Sequence, residues 1–203
     1  MTTTTAHANN RLEVPEMKRS IRFVRILVAA MVAAVAAWPL AQIAHGAPAE
    51  PEVPTAIEVP HGNKLFLVGH AVGVQIYSCN ATSSGHRWDF VAPRADLYDD
   101  KGKLLTTHFG GPSWQARDGS IVVGRRVDGA TVDPTAIPWL LVGAASTAPG
   151  PDGDRLAGTT FIQRIATTGG LPPVATDCSD DTLGITEEIP YTADYYFWKA
   201  SAS

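Results

Sequence analysis

Downstream of residue 47 the apolar residues never keep a helical period for more than two turns, and this constrains the fold more than any motif does. They come as short β-rich runs cut by glycine and proline: KLFLV (64–68), VGVQIYSC (72–79), RWDFV, ADLYD, KLLTTHF, SIVVGRRV, TTFIQRIATT and IPYTADYYFWKA. Runs of this length, bounded by turn signals, belong to sandwiches and barrels. The expected fold is therefore all-β: an antiparallel sandwich or barrel with long loops and one disulfide. IPWLLVGAAS (137–146) is continuous enough to be either a buried strand or a short helix.

Turn chemistry sets the connections. DDKG (99–102) and RDGS (117–120) each separate two strand-like runs and read as hairpins. NATSSGH (80–86), TAPGPDGDRLAG (147–158) and the stretch around Cys178 are loops by composition. Within VGVQIYSC, Val72, Val74 and Ile76 share one strand face and Gln75, Tyr77 and Cys79 the other. No internal repeat is present, so residues 61–203 are expected to form one β domain. Residues 47–60, APAEPEVPTAIEVP, form a proline-spaced extended lead-in expected to be loosely held.

The beginning of the chain reads as a targeting segment. Residues 1–16 are a polar extension, which makes Met17 a candidate for the true start. Lys18, Arg19, Arg22 and Arg25 precede an uncharged run from Ile26 to Leu40, and small residues follow. That is the layout of a secretory signal over 17–46, with cleavage at Gly46–Ala47. The alternative is an uncleaved anchor, because Ile26 to Ala44 is just long enough to span roughly 30 Å of hydrocarbon. Either way the protein is expected to be secreted, periplasmic or on the cell envelope. From Ala47 on there are 11 Lys+Arg against 18 Asp+Glu, so the stripe of positive charge that nucleic acid demands is missing. Cys79 and Cys178 are the only cysteines; in an exported chain an even pair reads as a disulfide.

GVQIYSC, the W-x-F-x-A-P-x-A-x-L stretch (88–97), HFGGPSW followed by DGSIVVG, IPWLL, IQRIATTGG and IPYTADYYFW occur in the order found in one family. From about Val53 to Lys199 the chain resembles the domain-of-unknown-function family 3455 (DUF3455). The resemblance implies an exported, largely β domain of uncharacterised activity, occurring in bacterial and fungal proteins. Some fungal relatives carry a malate dehydrogenase label, which this sequence does not support. Such an enzyme needs a strand, then G-x-G-x-x-G opening a helix in a βαβ unit, and this sequence offers no such fingerprint.

Four residues stand out as candidates for a ligand site: His108, Trp114, Arg164 and Tyr196. His108 ends a strand beside the Gly110-Gly111-Pro112 break, where a neutral imidazole can bind a ligand or move a proton. The structural alternative is a histidine hydrogen-bonded in a corner with Trp114 packed over it. A binding role predicts that His108→Ala changes binding more than melting temperature. Arg164 can pair with Asp194 across strands or face a ligand carboxylate bidentately. The tyrosines and tryptophans are plentiful enough to fill a core or to line a groove for sugar rings and flat ligands.

Other chemistries lack their spacing. The four histidines beyond the signal (His61, His70, His86, His108) form neither H-x-H nor H-E-x-x-H, and no acidic loop matches an EF-hand. Ser113 has no nucleophile elbow, and Glu187, Glu188 and Asp194 read as surface carboxylates rather than a glycosidase pair. No cofactor is implied. The chain therefore reads as an exported, non-catalytic module binding a glycan, a small molecule or a cell-envelope partner. The alternative is a secreted hydrolase or lyase using His108 with a carboxylate. Membrane contact is expected only through the signal segment, if it is retained.

Overall fold

The computed structural model describes residues 49–202. The polar extension (1–16), the signal-like segment (17–46) and the cleavage site at Gly46–Ala47 lie outside those residues. Eight strands run in chain order around a closed barrel. They are β1 (Asn63–Thr82), β2 (Gly85–Tyr98), β3 (Leu104–Phe109), β4 (Ser113–Ala116), β5 (Ile121–Ala130), β6 (Trp139–Ala148), β7 (Thr159–Gly169) and β8 (Thr186–Ala200). Every neighbouring pair is antiparallel, and β8 closes on β1 from Asn63↔Ala200 to Ser78↔Thr186. Of the two architectures open to the sequence, the barrel is the one formed. Closure pairs both edges of the sheet, which an open sheet would leave exposed. Among the described residues no helix is long and apolar enough to cross a membrane.

Both hairpins read from the turns are present, across Asp99–Gly102 and Arg117–Ser120, and IPWLLVGAAS contains strand β6. Three features depart from the sequence reading. KLFLV and VGVQIYSC are one strand, not two. At Gly73 the strand presses close on β2, where a Cβ would collide with the Arg94 carbonyl oxygen and the Ala95 Cβ. RWDFV and ADLYD are also one strand. Pro93 sits where β2 runs past β3 and pairs with β1 alone, so its missing N–H breaks no second ladder. Finally, the loop over 80–86 shrinks to a two-residue turn, with Thr82 paired to Gly85. Gly85 supplies a φ of 133° and the Thr82 hydroxyl accepts the Ser84 N–H, so Ser83 and Ser84 suffice.

Strand alternation sends one set of side chains into the barrel. Tyr191, Ala193, Tyr195 and Phe197 of β8 join Leu97, Trp114, Val122 and Ile162 in the interior core. A second, smaller core lies on the outer face, where Ile57 packs on Leu141 and Ile165 with Val53, Val59 and Phe161 around them. The lead-in is thus a strap rather than the loose segment expected. It makes a short 3-10 turn at Thr55–Ile57 and buries Ile57 completely. Gln163 Nε2 donates to the Ile57 carbonyl at 2.8 Å while its Oε1 accepts from Trp198 Nε1 at 2.9 Å.

Cys79 on β1 and Cys178, in the loop between β7 and β8, form a disulfide across 99 positions of sequence. It ties that loop to the β1–β2 hairpin. Trp88 Nε1 donates to the Val174 carbonyl at 3.3 Å, and His86 pairs with Asp180 at 2.9 Å.

Candidate functional site

The interior core does not fill the barrel. A cavity of about 570 Å³ occupies one part of the lumen. Each strand contributes to its wall: Gln75 (β1), Pro93 (β2), His108 (β3) and Trp114 (β4), then Arg126 (β5), Leu140 (β6), Arg164 (β7) and Tyr195 (β8). Eight strands is the barrel size at which the interior either packs solid or holds one small ligand. This barrel does both, with packed aromatics below and open space above.

The aromatic floor is built around His108. Its ring stacks on the Trp114 indole at 4.3 Å, with the planes 9° apart, and Tyr195 lies 5.2 Å from it at a tilt. Trp114 meets Tyr195 and Phe197 edge-on, at 5.7 and 6.2 Å. His108 Nδ1–H donates to the Ser113 carbonyl at 2.9 Å, which fixes the neutral tautomer with the lone pair on Nε2. Burial, opposed by the Ser113 carbonyl and aided by the nearby Arg164 charge, brings the imidazole pKa down to about 3. The ring is uncharged at neutral pH and makes a poor proton acceptor. Its hydrogen-bond partner is a backbone carbonyl, not a carboxylate. This is the geometry of the corner histidine under a tryptophan, and the same side chain borders the cavity.

Arg164 enters the lumen from β7. Its cross-strand neighbours are Leu140 and Tyr195, whereas Asp194 lies opposite Ile165, one position along. One position is one face, so Asp194 points outward and the Arg164–Asp194 pair considered from sequence does not form. Asp194 instead accepts from His70 Nδ1 at 2.7 Å. Arg164 Nε and Nη2 donate to the Pro138 carbonyl at 3.3 and 2.8 Å. Among the described residues no carboxylate lies within ion-pair distance of its guanidinium.

The phenols around this charge are paired or protonated. Tyr77 donates to the Gly170 carbonyl at 2.7 Å, and the Tyr191 and Tyr195 hydroxyls are 3.2 Å apart. Burial raises the pKa of all three, with Arg164 opposing in each case. Among the described residues four buried polar atoms have no hydrogen-bond partner, Gln75 Nε2, Trp114 Nε1 and the Thr106 and Thr159 hydroxyls, and of these the Gln75 and Trp114 side chains border the cavity. Gly170 presses close beside Gln75. With φ at 76° and its missing Cβ 2.9 Å from Tyr191 Cβ, only glycine fits there.

Three of the four sequence candidates, His108, Trp114 and Arg164, converge on the cavity. Tyr196 does not. It stands on the outer face of β8 against the Ile57 strap, because its neighbour Tyr195 takes the inward position. Gln75 was missed as a site residue, although its place on the face of Tyr77 and Cys79 carried the signal: a polar side chain on an inward row. Among the described residues no group of three His, Cys, Asp or Glu is placed to hold a metal ion.

The sequence matches the family described as protein of unknown function (DUF3455) over residues 60–199, more than half of the chain, and the chain belongs to that family. No curated protein and no solved structure matches the chain.

Proposed function

We propose that this DUF3455 chain is an exported, non-catalytic binding protein that takes a small ligand into its barrel. The observation that carries the reading is the cavity itself: about 570 Å³, walled by every strand and within the size range of small-molecule sites. Its rim adds support, since Phe90 and Val91 border the opening while 53% and 56% exposed, an unfavourable place for apolar side chains unless something covers them. A non-catalytic role is favoured over a hydrolase or lyase by the state of His108. An acid–base catalyst near neutral pH requires an imidazole that can accept a proton, ideally oriented by a carboxylate. His108 is held neutral on a backbone carbonyl, and among the described residues no Asp or Glu lines the cavity. Export is supported by the signal-like segment 17–46 together with the disulfide, which persists in oxidising compartments.

The neutral fluorescent dye N-phenyl-1-naphthylamine tests the cavity. It is expected to bind one per chain with enhanced emission, and Leu140→Trp, which fills the lumen, is expected to abolish that binding. Failure to bind, or binding indifferent to Leu140→Trp, refutes a ligand-taking barrel. Intact mass of the exported protein is expected to begin at Ala47; a product retaining the apolar run refutes cleavage.

A further inference from the structure

The cavity is apolar in most of its wall, yet its polar groups are mismatched in one direction. We infer that its ligand is a carboxylate on a compact apolar body, held with the carboxylate on Arg164 and the Gln75 amide and Trp114 indole N–H as further donors. The inference rests on the ligand-taking barrel proposed above and specifies what the barrel takes.

A guanidinium offers five N–H donors. The Pro138 carbonyl engages one from Nε and one from Nη2, and no carboxylate neutralises the charge among the described residues. A partly buried cation without an anion is costly, because its solvation is lost and no ion pair replaces it. Gln75 and Trp114 are 3% and 1% exposed, and each leaves a donor unused. Buried donors without acceptors are rare in folded proteins and mark a group awaiting a partner. The nearby phenols do not supply the charge: Tyr77 donates to Gly170, Tyr191 and Tyr195 pair with each other, and burial keeps all three protonated. All the unmet demand is for acceptors and negative charge.

A carboxylate answers that demand in shape as well as sign. Its two oxygens match the planar guanidinium fork and carry lone pairs to spare for neighbouring N–H groups. The rest of the wall, with Phe90, Val91, Ile137, Leu140 and Val142, suits hydrocarbon. A glycan fits less well: its many hydroxyls would be left without partners against this wall.

Decanoate and decan-1-ol, which differ in the head group, separate the possibilities. Each is titrated at neutral pH against the exported protein loaded with the naphthylamine dye, and displacement is read. Decanoate is expected to bind at least tenfold more tightly than decanol to the wild type. Arg164→Gln is expected to erase that preference, so that decanoate displaces the dye no more tightly than decanol. Arg164→Lys, which keeps the charge but not the fork, is expected to retain only part of it. Dye binding with no preference for the acid overturns the carboxylate inference and leaves the cavity reading standing, and this comparison needs the wild type alone. A preference that survives Arg164→Gln in a folded variant also overturns it. Absence of binding by the dye and both decyl compounds overturns the barrel reading and the inference with it.

Discussion

The imidazole of His108 lies flat against the indole of Trp114, its cross-strand partner, with ring centres 4.3 Å apart and planes 9° from parallel. The stack sits at the junction between packed core and open lumen, so His108 supports the floor of the cavity whatever the cavity binds. Its depressed pKa makes that support depend on acid. The folded state holds His108 neutral down to about pH 3, whereas the unfolded chain protonates it near 6.5. Between those values the unfolded state binds more protons. The contribution is therefore fully present above pH 6.5 and drains away as pH falls toward 3. A shift of this size corresponds to at most about 5 kcal/mol. Urea unfolding midpoints measured from pH 7 to 3.5 are expected to fall less steeply for His108→Phe than for the wild type. Parallel curves would remove His108 from the acid response.

His70 responds with the opposite sign. Nδ1 lies 2.7 Å from Asp194 and Nε2 2.9 Å from Asp100, and since carboxylates only accept, the two bonds form together only with the imidazolium. Its pKa is raised, first by the Asp194 hydrogen bond, against the cost of partial burial, with Asp100 adding to the rise. The stabilisation is present below the unfolded value of 6.5 and is lost as pH climbs through the folded one. Both partners are partly open to solvent, so the pair contributes no more than about 1 kcal/mol. An NMR titration of the His70 ring is expected to show a midpoint above 6.5. Asp194→Asn is expected to bring it down further than Asp100→Asn; the reverse order would misassign the dominant partner.

Much of this architecture was legible because strands declare themselves locally. Asp118-Gly119 and the DDKG turn placed two hairpins, and alternation in β1 grouped Gln75 with Tyr77 and Cys79 on one face. The limits came from contacts distant in sequence. Pro93 reads as a strand breaker until β2 is seen to outrun β3. Whether Arg164 meets Asp194 depends on β7–β8 register, and a one-residue difference puts the two on opposite faces. Tyr195 and Tyr196 are equivalent as sequence; only closure of the barrel decides which of them faces the lumen. Ile57, in a proline-spaced stretch, carried no periodic signal at all.

The disulfide constrains a segment with little core of its own. The loop from Gly170 to Ile185 exposes Val174, Leu183 and Ile185, and is attached to β1 through Cys178, which is itself largely buried. Closing a loop of 99 positions is worth on the order of 4 to 5 kcal/mol in the chain-entropy model. The Cys79→Ala/Cys178→Ala double variant is expected to lose most of that in urea unfolding. It is also expected to make the Val174 region susceptible to protease before the barrel opens. Unchanged stability together with intact protease resistance would show that the loop is held by its side-chain contacts instead.

The strap makes the last prediction, and it concerns residues ahead of the family-matched segment, which begins at residue 60. Ile57 is fully buried against Leu141 and Ile165, on the outer face of β6 and β7. Its carbonyl accepts from Gln163, and Gln163 in turn accepts from Trp198 on β8, so one hydrogen-bonded chain links the strap to two strands. Removing the strap exposes apolar surface and strands a buried amide donor, two penalties that add. Ile57→Ala, which removes only side-chain packing, is expected to cost about 2 to 4 kcal/mol. A chain starting at His61 is expected to lose more than Ile57→Ala, because it also forfeits the carbonyl partner of Gln163. Equal unfolding midpoints for the full and shortened chains would mean that the barrel closes without its strap.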